Sequence, residues 1–333
     1  MRLLLFSLLL FLPLQASAEW YRDTRDMMGT RVDVELWSED AEQAGKIIAE
    51  AMAVLQHVDE TMNPLNPESE LARVNSRAFT APVPVSEEIY SVVERALYYS
   101  RLSGGAFDIS FASIGQFYDY RAGQAPSDEL VEQNRKRINF RAIVLDAGHR
   151  SIAFTIDGLQ LDLGGIAKGF AVDNGIEVLE RAGIVAGFVS AGGDSRILGD
   201  YGDRPRMIGI RHPRKKDEFA VMIPLSDTAI STSGDYERFY MEGETRVHHI
   251  LDPQTGRSSA KVQSVSVLAP RAIDSDALST TTFVLGVEKG LALINSLAGV
   301  EAIIIDAGGR LHYSAGLLRE QSTDNSNSPP GGV

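Results

Sequence analysis

A glycine pair followed by a lysine gives this chain one stretch whose residue types suit phosphate binding. Within residues 161–173 (LDLGGIAKGFAVD), Gly164 and Gly165 precede apolar residues at helical spacing, and Lys168 lies in the first turn. Glycine lets the backbone approach a ligand closely, and the free N–H groups at a helix start attract anions. Both common phosphate-loop patterns are absent, so a strand-to-helix turn that merely packs through its glycines stays an alternative.

A second stretch, residues 273–282 (IDSDALSTTT), carries oxygen ligands on one face of a predicted helix. Asp276 and Thr280 are four residues apart and therefore lie on the same face. A carboxylate and a hydroxyl suit Mg²⁺, which retains water and takes phosphate oxygens of a substrate. We expect Asp274 or Ser275 to cap this helix. The alternative is that Asp276 only offsets the helix dipole and that Thr280 is simply exposed.

Two adjacent histidines occur in residues 247–256 (VHHILDPQTG). Side chains alternate along a strand, so one of His248 and His249 faces inward and the other outward. The inward histidine is a candidate base or phosphate partner, or else a structural core residue. Neighbouring histidines on a strand do not easily share one metal ion, and the pattern H-E-x-x-H is absent, which excludes a zinc site of that type.

An aromatic residue and a cation lie two positions apart in residues 230–239 (ISTSGDYERF). If this segment is extended, Tyr236 and Arg238 share one face and suit a planar ring ligand. A core tyrosine beside a surface arginine is an equal alternative. The pattern G-x-S-x-G is absent, which argues against a hydrolase with a serine nucleophile elbow.

Helices and strands that must position these residues are interleaved irregularly. Residues 161–163 alternate as the end of a buried strand, and residues 166–179 form the helix after the glycines. Further helices are predicted at residues 38–62, 69–75, 86–102, 127–137, 275–285 and 288–297. Further strands are predicted at residues 30–37, 142–146, 152–156, 187–190, 207–211, 220–224, 229–231, 246–251, 262–268, 302–306 and 311–314, the last two as a pair. Without strict βαβ alternation, this order predicts a mixed α/β (α+β) fold with no clean boundary between two domains.

The N-terminus has the features of a secretory signal peptide, residues 1–18. Arg2 precedes an apolar run at residues 3–14, and Ala-Ser-Ala at residues 16–18 favours cleavage after Ala18. The run is too short to span a bilayer comfortably. The chain contains no cysteine, so it lacks disulfides and a lipid-bearing cysteine after the signal. We therefore expect a periplasmic protein that is neither membrane-spanning nor lipid-anchored.

Charge and composition narrow the function classes. The chain of 333 residues is 44% hydrophobic and 23% charged, as in ordinary globular proteins with a large core. Its formal net charge of −13 argues against nucleic-acid binding, which needs a basic face, and favours attraction of a divalent cation. Residues 19–318 are expected to form the functional domain. Residues 319–333 are rich in Ser, Asn, Pro and Gly and are expected to be a disordered tail.

Eight short motifs occur in the order MGT, SELARVN, GAFD, DLGGIAKGFAVD, SAGGD, STSGDYERF, HHILDPQTG and SDALSTTTFVLG. This order resembles the ApbE family of FAD:protein FMN transferases over about residues 28–316. The resemblance implies the α/β fold peculiar to that family, periplasmic placement, FAD as substrate and Mg²⁺ as cofactor. It also implies transfer of FMN to a Thr or Ser hydroxyl of an acceptor protein in a membrane redox complex, with release of AMP.

The same resemblance implies roles for individual residues. The metal ligands would be the backbone carbonyl of Gly165 and the side chains of Asp276 and Thr280. Contacts to the flavin nucleotide would come from Met28, Ala106, Phe107, Asp108, Asp162, Lys168 and Ile250. We expect Asp276 or His249 to accept the hydroxyl proton as catalytic base.

The chain departs from many relatives in two places. Residues 63–66 (NPLN) replace a loop that often carries a tyrosine, and the lipid-bearing cysteine is missing. Two other functions stay open: an FAD pyrophosphatase that releases FMN and AMP, and a flavin-binding assembly protein without turnover.

Overall fold

The computed structural model describes residues 18–319, so residues 1–17 of the expected signal peptide and residues 320–333 of the expected tail lie outside the described residues. The helices are α1 Ala41–Met62, α2 Glu70–Arg77, α3 Glu87–Leu102, α4 Ala112–Gly115, α5 Asp128–Asn134, α6 Ala167–Arg181, α7 Ala272–Leu285 and α8 Val287–Asn295. Short 3₁₀ turns lie at Ile109–Phe111, Arg135–Arg137 and Phe140–Ala142. Among these residues, none of the helices has the length and apolar character needed to cross a membrane.

Strands run through the whole described chain. They are β1 Glu19–Met27, β2 Thr30–Ser38, β3 Val83–Pro84, β4 Ile143–Asp146, β5 Ser151–Phe154, β6 Gly187–Ala191, β7 Asp194–Leu198, β8 Arg206–Arg211, β9 Phe219–Leu225, β10 Ala229–Gly234, β11 Phe239–Glu242, β12 Thr245–His248, β13 Leu251–Asp252, β14 Arg257–Ser258, β15 Val262–Ala269, β16 Glu301–Asp306 and β17 Leu311–Tyr313. The predicted mixed α/β fold is confirmed, and so is the predicted pairing of β16 with β17.

One antiparallel sheet of eight strands organises the molecule, in the order β1-β2-β6-β7-β10-β15-β16-β17. Several neighbours are distant in sequence: Val34 of β2 lies opposite Val189 of β6, and Asp194 of β7 lies opposite Ser231 of β10. This order brings the glycine turn before β7 next to β10, which contains the first four residues of the STSGDYERF segment. Residues from separate motifs therefore meet beside the inner strands of the sheet.

Side chains that alternate along the strands build an apolar layer on each face of the sheet. On one face, α1, α6 and α7 cover the main core, which includes Ala229 and Val267. On the other face, Ile230 and Leu268 belong to a second cluster completed by the β8–β9 hairpin. Glycine allows a close approach between α6 and α1: a methyl group on Gly175 of α6 would lie 2.9 Å from Leu55 of α1. This packing fixes α6 between α1 and the sheet.

The predicted strand at residues 161–163 is wrong, although Leu161 and Leu163 are fully buried. The backbone of Leu161 pairs with one side chain instead of a strand: its N–H donates to Oδ1 of Asn75 at 2.7 Å, and its carbonyl accepts from Nδ2 of Asn75 at 2.9 Å. The N–H of Asp162 donates to the carbonyl of Ile109 at 2.9 Å. Because these partners satisfy the backbone, the segment is extended without belonging to a sheet.

Candidate active site

The glycine turn before α6 meets the oxygen-bearing face of α7. A methyl group built on Gly165 would lie 3.4 Å from Oγ1 of Thr280. One turn further along α6, the N–H of Gly169 donates to Oδ2 of Asp276 at 2.9 Å. Any side chain at Gly169 would overlap the backbone of α7 at Ala272. The structure therefore brings Gly165, Asp276 and Thr280 together, with Asp276 as the anion at the N-terminus of α6.

The N-terminus of α7 is capped by a residue from α6, and the prediction that Asp274 or Ser275 caps it is wrong. The carboxylate of Asp173 accepts from the N–H groups of Ala272 and Ile273, at 2.9 and 3.0 Å. Asp274 instead lies inside the first turn, where it accepts from Tyr99 Oη at 2.8 Å. A buried carboxylate satisfies two free helix N–H groups and favours the positive end of the helix dipole.

Lys168 lies between two buried carboxylates at the start of α6. Its ammonium group is bonded to Asp194, the first residue of β7, and lies 3.7 Å from Oδ1 of Asp276. Burial alone would lower the pKa of Lys168, but Asp194 and Asp276 outweigh it and raise that pKa. Burial and the neighbouring Asp194 raise the pKa of Asp276 to about 7, against the opposing effect of Lys168. Asp194 belongs to the SAGGD motif, but no local pattern in the sequence indicates its role. Only the order of strands in the sheet places it beside Lys168.

Hydroxyl groups fix α7 along the central strand β10. Ser231 and Ser275 are 2.8 Å apart through their Oγ atoms, and so are Ser233 and Ser279. The hydroxyl of Ser233 also lies 3.2 Å from Oγ1 of Thr280. These contacts set the register in which Thr280 faces the glycine turn.

The turn at residues 106–108 contacts the glycine turn at Gly165 through the ring of Phe107. A methyl group on Gly165 would lie 3.3 Å from Cε2 of Phe107, whose ring is buried. The Asp108 carboxylate accepts from the N–H and hydroxyl of Ser110 at 2.9 and 2.6 Å, and from the N–H of Phe140 at 2.9 Å. Burial raises the pKa of Asp108 despite these bonds. Because the carboxylate of Asp108 is fully engaged, nucleotide contacts of this turn would fall to its backbone or to Ala106.

Asp162, two residues before Gly164, stabilises the glycine turn with its side chain. Its Oδ1 accepts from the N–H of Gly164 at 2.6 Å. Burial raises the pKa of Asp162, while the Gly164 N–H and the charge of Arg238 lower it. The side chain is only half-buried, so Asp162 keeps access to a ligand in the turn.

Met28 adopts a backbone conformation that is costly for its residue type. It forms with Gly29 the two-residue turn between β1 and β2, with φ values of 55° and 68°. Such a turn favours Asn or Asp at the first position, and a positive φ is unfavourable for a long side chain. The N–H of Met28 donates to Oδ2 of Asp59 at 2.8 Å, which anchors the turn to α1. A strained residue in this two-residue turn fits a functional role for Met28.

The two histidines have different environments. His248 is the inward one: Nε2 contacts the carbonyl of Ser259 at 2.9 Å, and the ring packs edge-on against Phe283. His249 is partly exposed, and its Nδ1 is buried without a hydrogen-bond partner among the described residues. Burial, with the nearby charges of Arg238 and Lys168, lowers the pKa of His249 to about 3. The inward histidine is thus structural, and the neutral, unpaired one belongs to the site.

Ile250 follows His249 and is buried. Its N–H donates to Nδ1 of His248 at 3.3 Å. Its carbonyl accepts from the N–H of Ser259 at 3.0 Å, so both backbone polar groups are engaged and one edge of the side chain is the part that a nucleotide would meet.

The oxygen groups of this site suit a magnesium ion that is held partly by the protein and partly by water and substrate phosphate. They do not suit a metal whose ligands all come from protein side chains. Within residues 18–319, no three His, Asp or Glu side chains are arranged to hold a metal. A backbone oxygen at Gly165, the Asp276 carboxylate and the Thr280 hydroxyl leave further positions for water and phosphate, which Mg²⁺ prefers. The ammonium of Lys168 lies beside Asp194 and Asp276 and balances part of their negative charge.

Comparison with known proteins gives consistent matches over most of the chain. The model of the ApbE family matches residues 28–304. A protein of Treponema pallidum named FAD:protein FMN transferase is 33% identical over 323 residues, which cover 91% of this chain and 89% of that protein. One of the same name from Vibrio cholerae is 30% identical over 298 residues, covering 87% and 88%.

Solved structures agree with these sequence matches. The crystal structure of the ApbE protein of Thermotoga maritima has a TM-score of 0.83 at 30% identity and covers 90% of this chain and 99% of that chain. The flavin transferase ApbE of Vibrio cholerae has a TM-score of 0.81 at 26% identity and covers 91% and 99%.

Proposed function

The chain belongs to the ApbE family and is a flavin transferase, and we propose that it moves FMN from FAD onto a Ser or Thr hydroxyl of a partner protein. The observation that carries this proposal is the contact between the Gly165 turn and the Asp276–Thr280 face of α7. Phosphate-binding glycines and magnesium-type oxygen ligands meet there although they are distant in sequence.

We propose that Gly165, Asp276 and Thr280 hold Mg²⁺ with the pyrophosphate of FAD. When bound, Mg²⁺ would withdraw charge from the phosphate oxygens and so make phosphorus more electrophilic. The residues of the chain supply position and orientation. The Gly164-Gly165 turn lets the pyrophosphate approach the backbone, and the Lys168–Asp194 pair fixes the side of the site next to Asp276.

Of the two candidates, His249 has the nitrogen that is free to accept a proton, although its pKa of about 3 makes it the weaker base until bound substrate phosphate raises that pKa. One oxygen of Asp276 accepts from the N–H of Gly169, and the other faces Lys168. His249 is neutral near pH 7 and its Nδ1 has no hydrogen-bond partner among residues 18–319. In the proposed reaction, the acceptor oxygen bonds to the FMN phosphorus and its proton passes to His249. The bond to the bridging oxygen breaks, and AMP leaves with the electron pair.

A flavinylation assay tests the proposal. Purified protein, FAD and Mg²⁺ are incubated with exported proteins from a strain that lacks this gene. We expect a covalent flavin adduct on an acceptor, seen by in-gel fluorescence and by mass spectrometry, and its loss on adding EDTA. Asp276→Asn should lower the rate at least about 100-fold, since loss of metal-site groups costs that order of affinity. Asp274→Asn, on the same helix but outside the site, is the matched control.

The other outcomes of this assay would favour one of the alternative functions or contradict the proposed one. Release of FMN and AMP without any adduct would identify an FAD pyrophosphatase. An acceptor flavinylated equally well with the Asp276→Asn variant would favour a carrier without turnover. Absence of both adduct and AMP would contradict a transferase that uses this site.

We further propose that the protein is exported to the periplasm by the signal at residues 1–18, and that its acceptor belongs to a membrane redox complex. The support for export is the apolar run with its Ala-Ser-Ala site, and the membrane redox complex is what the resemblance to the family implies. Cell fractionation with N-terminal sequencing should find a mature protein that begins at Glu19. A full-length protein retained in the cytoplasm would contradict this placement.

A further inference from the structure

We propose that Arg238 binds the pyrophosphate of FAD directly, an inference that rests on the proposed function for the identity of the ligand. Arg238 lies in the loop between β10 and β11. A methyl group built on Gly29 would lie 3.3 Å from its Nη2, so the guanidinium covers the turn between β1 and β2. The carbonyl of Arg238 accepts from the N–H of His249 at 3.2 Å, which fixes the two residues side by side.

Arg238 differs from the other arginines around its loop in having no carboxylate partner. Arg214 bonds both oxygens of Asp235, at 2.7 and 2.6 Å. Arg211 pairs with Glu237. Within residues 18–319, the guanidinium of Arg238 makes neither a hydrogen bond nor an ion pair. In a chain with a net charge of −13, a cation left unpaired beside acidic groups points to an anionic ligand.

The charges of the site also call for an additional cation. The buried carboxylates of Asp194 and Asp276 already balance the positive charge of Lys168. Asp162 contributes a third carboxylate at the glycine turn. FAD brings a pyrophosphate with two negative charges, so even with the two positive charges of the proposed Mg²⁺ the negative charges at the site outnumber the positive ones. The exposed side chain of Arg238 is close enough for its charge to act on Asp162, Lys168 and His249, so its guanidinium lies near the glycine turn, where the pyrophosphate is proposed to bind.

The chemistry of the guanidinium fits this task. Its planar fork can donate two parallel hydrogen bonds to phosphate oxygens, and such charge-assisted bonds are stronger than neutral ones. In the proposed transfer, the bond from phosphorus to the bridging oxygen breaks and AMP keeps the electron pair. Negative charge therefore grows on the leaving phosphate, and a donor already bound to the pyrophosphate stabilises that change.

Binding measurements without any acceptor protein test this inference. The affinities of FAD, ADP and riboflavin are measured by calorimetry with Mg²⁺ for the wild type, Arg238→Gln and Arg238→Lys. We expect Arg238→Gln to weaken FAD and ADP about 10- to 100-fold, as for loss of charged hydrogen bonds, and to leave riboflavin within twofold. Arg238→Lys should be intermediate because it keeps the charge but loses the fork. Arg211→Gln, with the same charge change near the same loop, is the control and should match the wild type.

Two results would overturn the inference. One is an FAD affinity of Arg238→Gln within twofold of the wild type. The other is a defect that disappears at about 0.5 M KCl, since salt screens a distant charge but not a direct hydrogen bond. The outcome is separable from the proposed function. If Arg238→Gln selectively loses FAD and ADP binding, the pyrophosphate contact of Arg238 is supported even when no acceptor is flavinylated. If Arg238→Gln binds FAD normally while the wild type transfers FMN, only the contact of Arg238 is refuted and the proposed function stands.

Discussion

At the scale of single residues, His249 shows how an environment rather than a motif selects a chemical group. His248 and His249 are adjacent and identical in type, yet one is packed against Phe283 and the other faces the site. Burial and nearby cations keep His249 neutral by lowering its pKa to about 3. An imidazole with an unpaired nitrogen is free to accept a proton, but a pKa of about 3 makes it a weak base, so the negative phosphate of a bound substrate has to raise this pKa for proton transfer at neutral pH.

This low pKa predicts a pH dependence of stability. Unfolded, His249 has an ordinary pKa near 6.5, so between about pH 3 and 6.5 the unfolded chain binds one more proton than the folded chain. The free energy of unfolding therefore falls as pH drops from 7 to 5, by about 1–2 kcal/mol from this residue. His249→Asn should lose less stability over this range than the wild type does.

Denaturant unfolding of the metal-free protein at pH 7 and pH 5 measures the difference. His149→Asn, which changes an exposed histidine outside the site, is the control. An equal loss of stability in His249→Asn and the wild type would show that His249 titrates normally.

At the scale of elements, the contact between α6 and α7 determines the geometry of the site. Asp173 of α6 holds the first two N–H groups of α7, and Gly169 lets the two helices approach closely. Arg196 of β7 also donates to Asp173, at 3.0 Å. Asp276 and Thr280 therefore depend on a cap supplied by the same helix that follows the glycine turn.

Replacement of Asp173 by asparagine tests this arrangement. Asparagine offers one acceptor oxygen instead of two and leaves Arg196 without its buried counter-charge, so we expect a loss of about 2–4 kcal/mol in the free energy of unfolding. At a temperature where the variant is fully folded, its FAD binding should need more Mg²⁺ than the wild type.

Asp274→Asn is the matched control, because its side chain bonds Arg95 and Tyr99 rather than a helix terminus. A variant Asp173→Asn with wild-type stability would contradict the capping role. Loss of stability with an unchanged Mg²⁺ requirement would limit Asp173 to folding.

At the scale of the whole molecule, the site joins parts of the chain that are far apart in sequence. The β1–β2 turn, α6, the β10–β11 loop and α7 all contribute to it, and the eight-stranded sheet lies beneath them. A ligand that touches all these parts can bind only the folded chain, so its binding free energy adds to the stability of the whole protein.

FAD and Mg²⁺ together should therefore raise the melting temperature. At 100 times the dissociation constant, the gain is about 2.7 kcal/mol, which corresponds to about 5 °C in a protein of this size. Thermal unfolding with FAD alone, Mg²⁺ alone and both measures the effect, with riboflavin plus Mg²⁺ as the control. An equal shift in the wild type and Asp276→Asn would contradict metal-dependent binding at this site.

Local sequence determined much of the architecture. Residue periodicity predicted the long helices, the β16–β17 pair and the mixed α/β class, because burial of an apolar face depends on neighbouring residues. The spacing of Asp276 and Thr280 placed them on one helix face, and the order of motifs indicated the family. Residues 161–163 were misassigned because Asn75 satisfies their backbone from a distant helix.

Tertiary structure alone decided the electrostatic partners within the site. Nothing near Lys168 in sequence indicates that Asp194 neutralises it, and nothing near Ala272 indicates the cap from Asp173. The choice of His249 over His248 and the unpaired state of Arg238 likewise depend on elements packed against them. Periodicity reports what lies a few residues away, whereas ion pairs and caps act through space, so the order of strands in the sheet had to be known first.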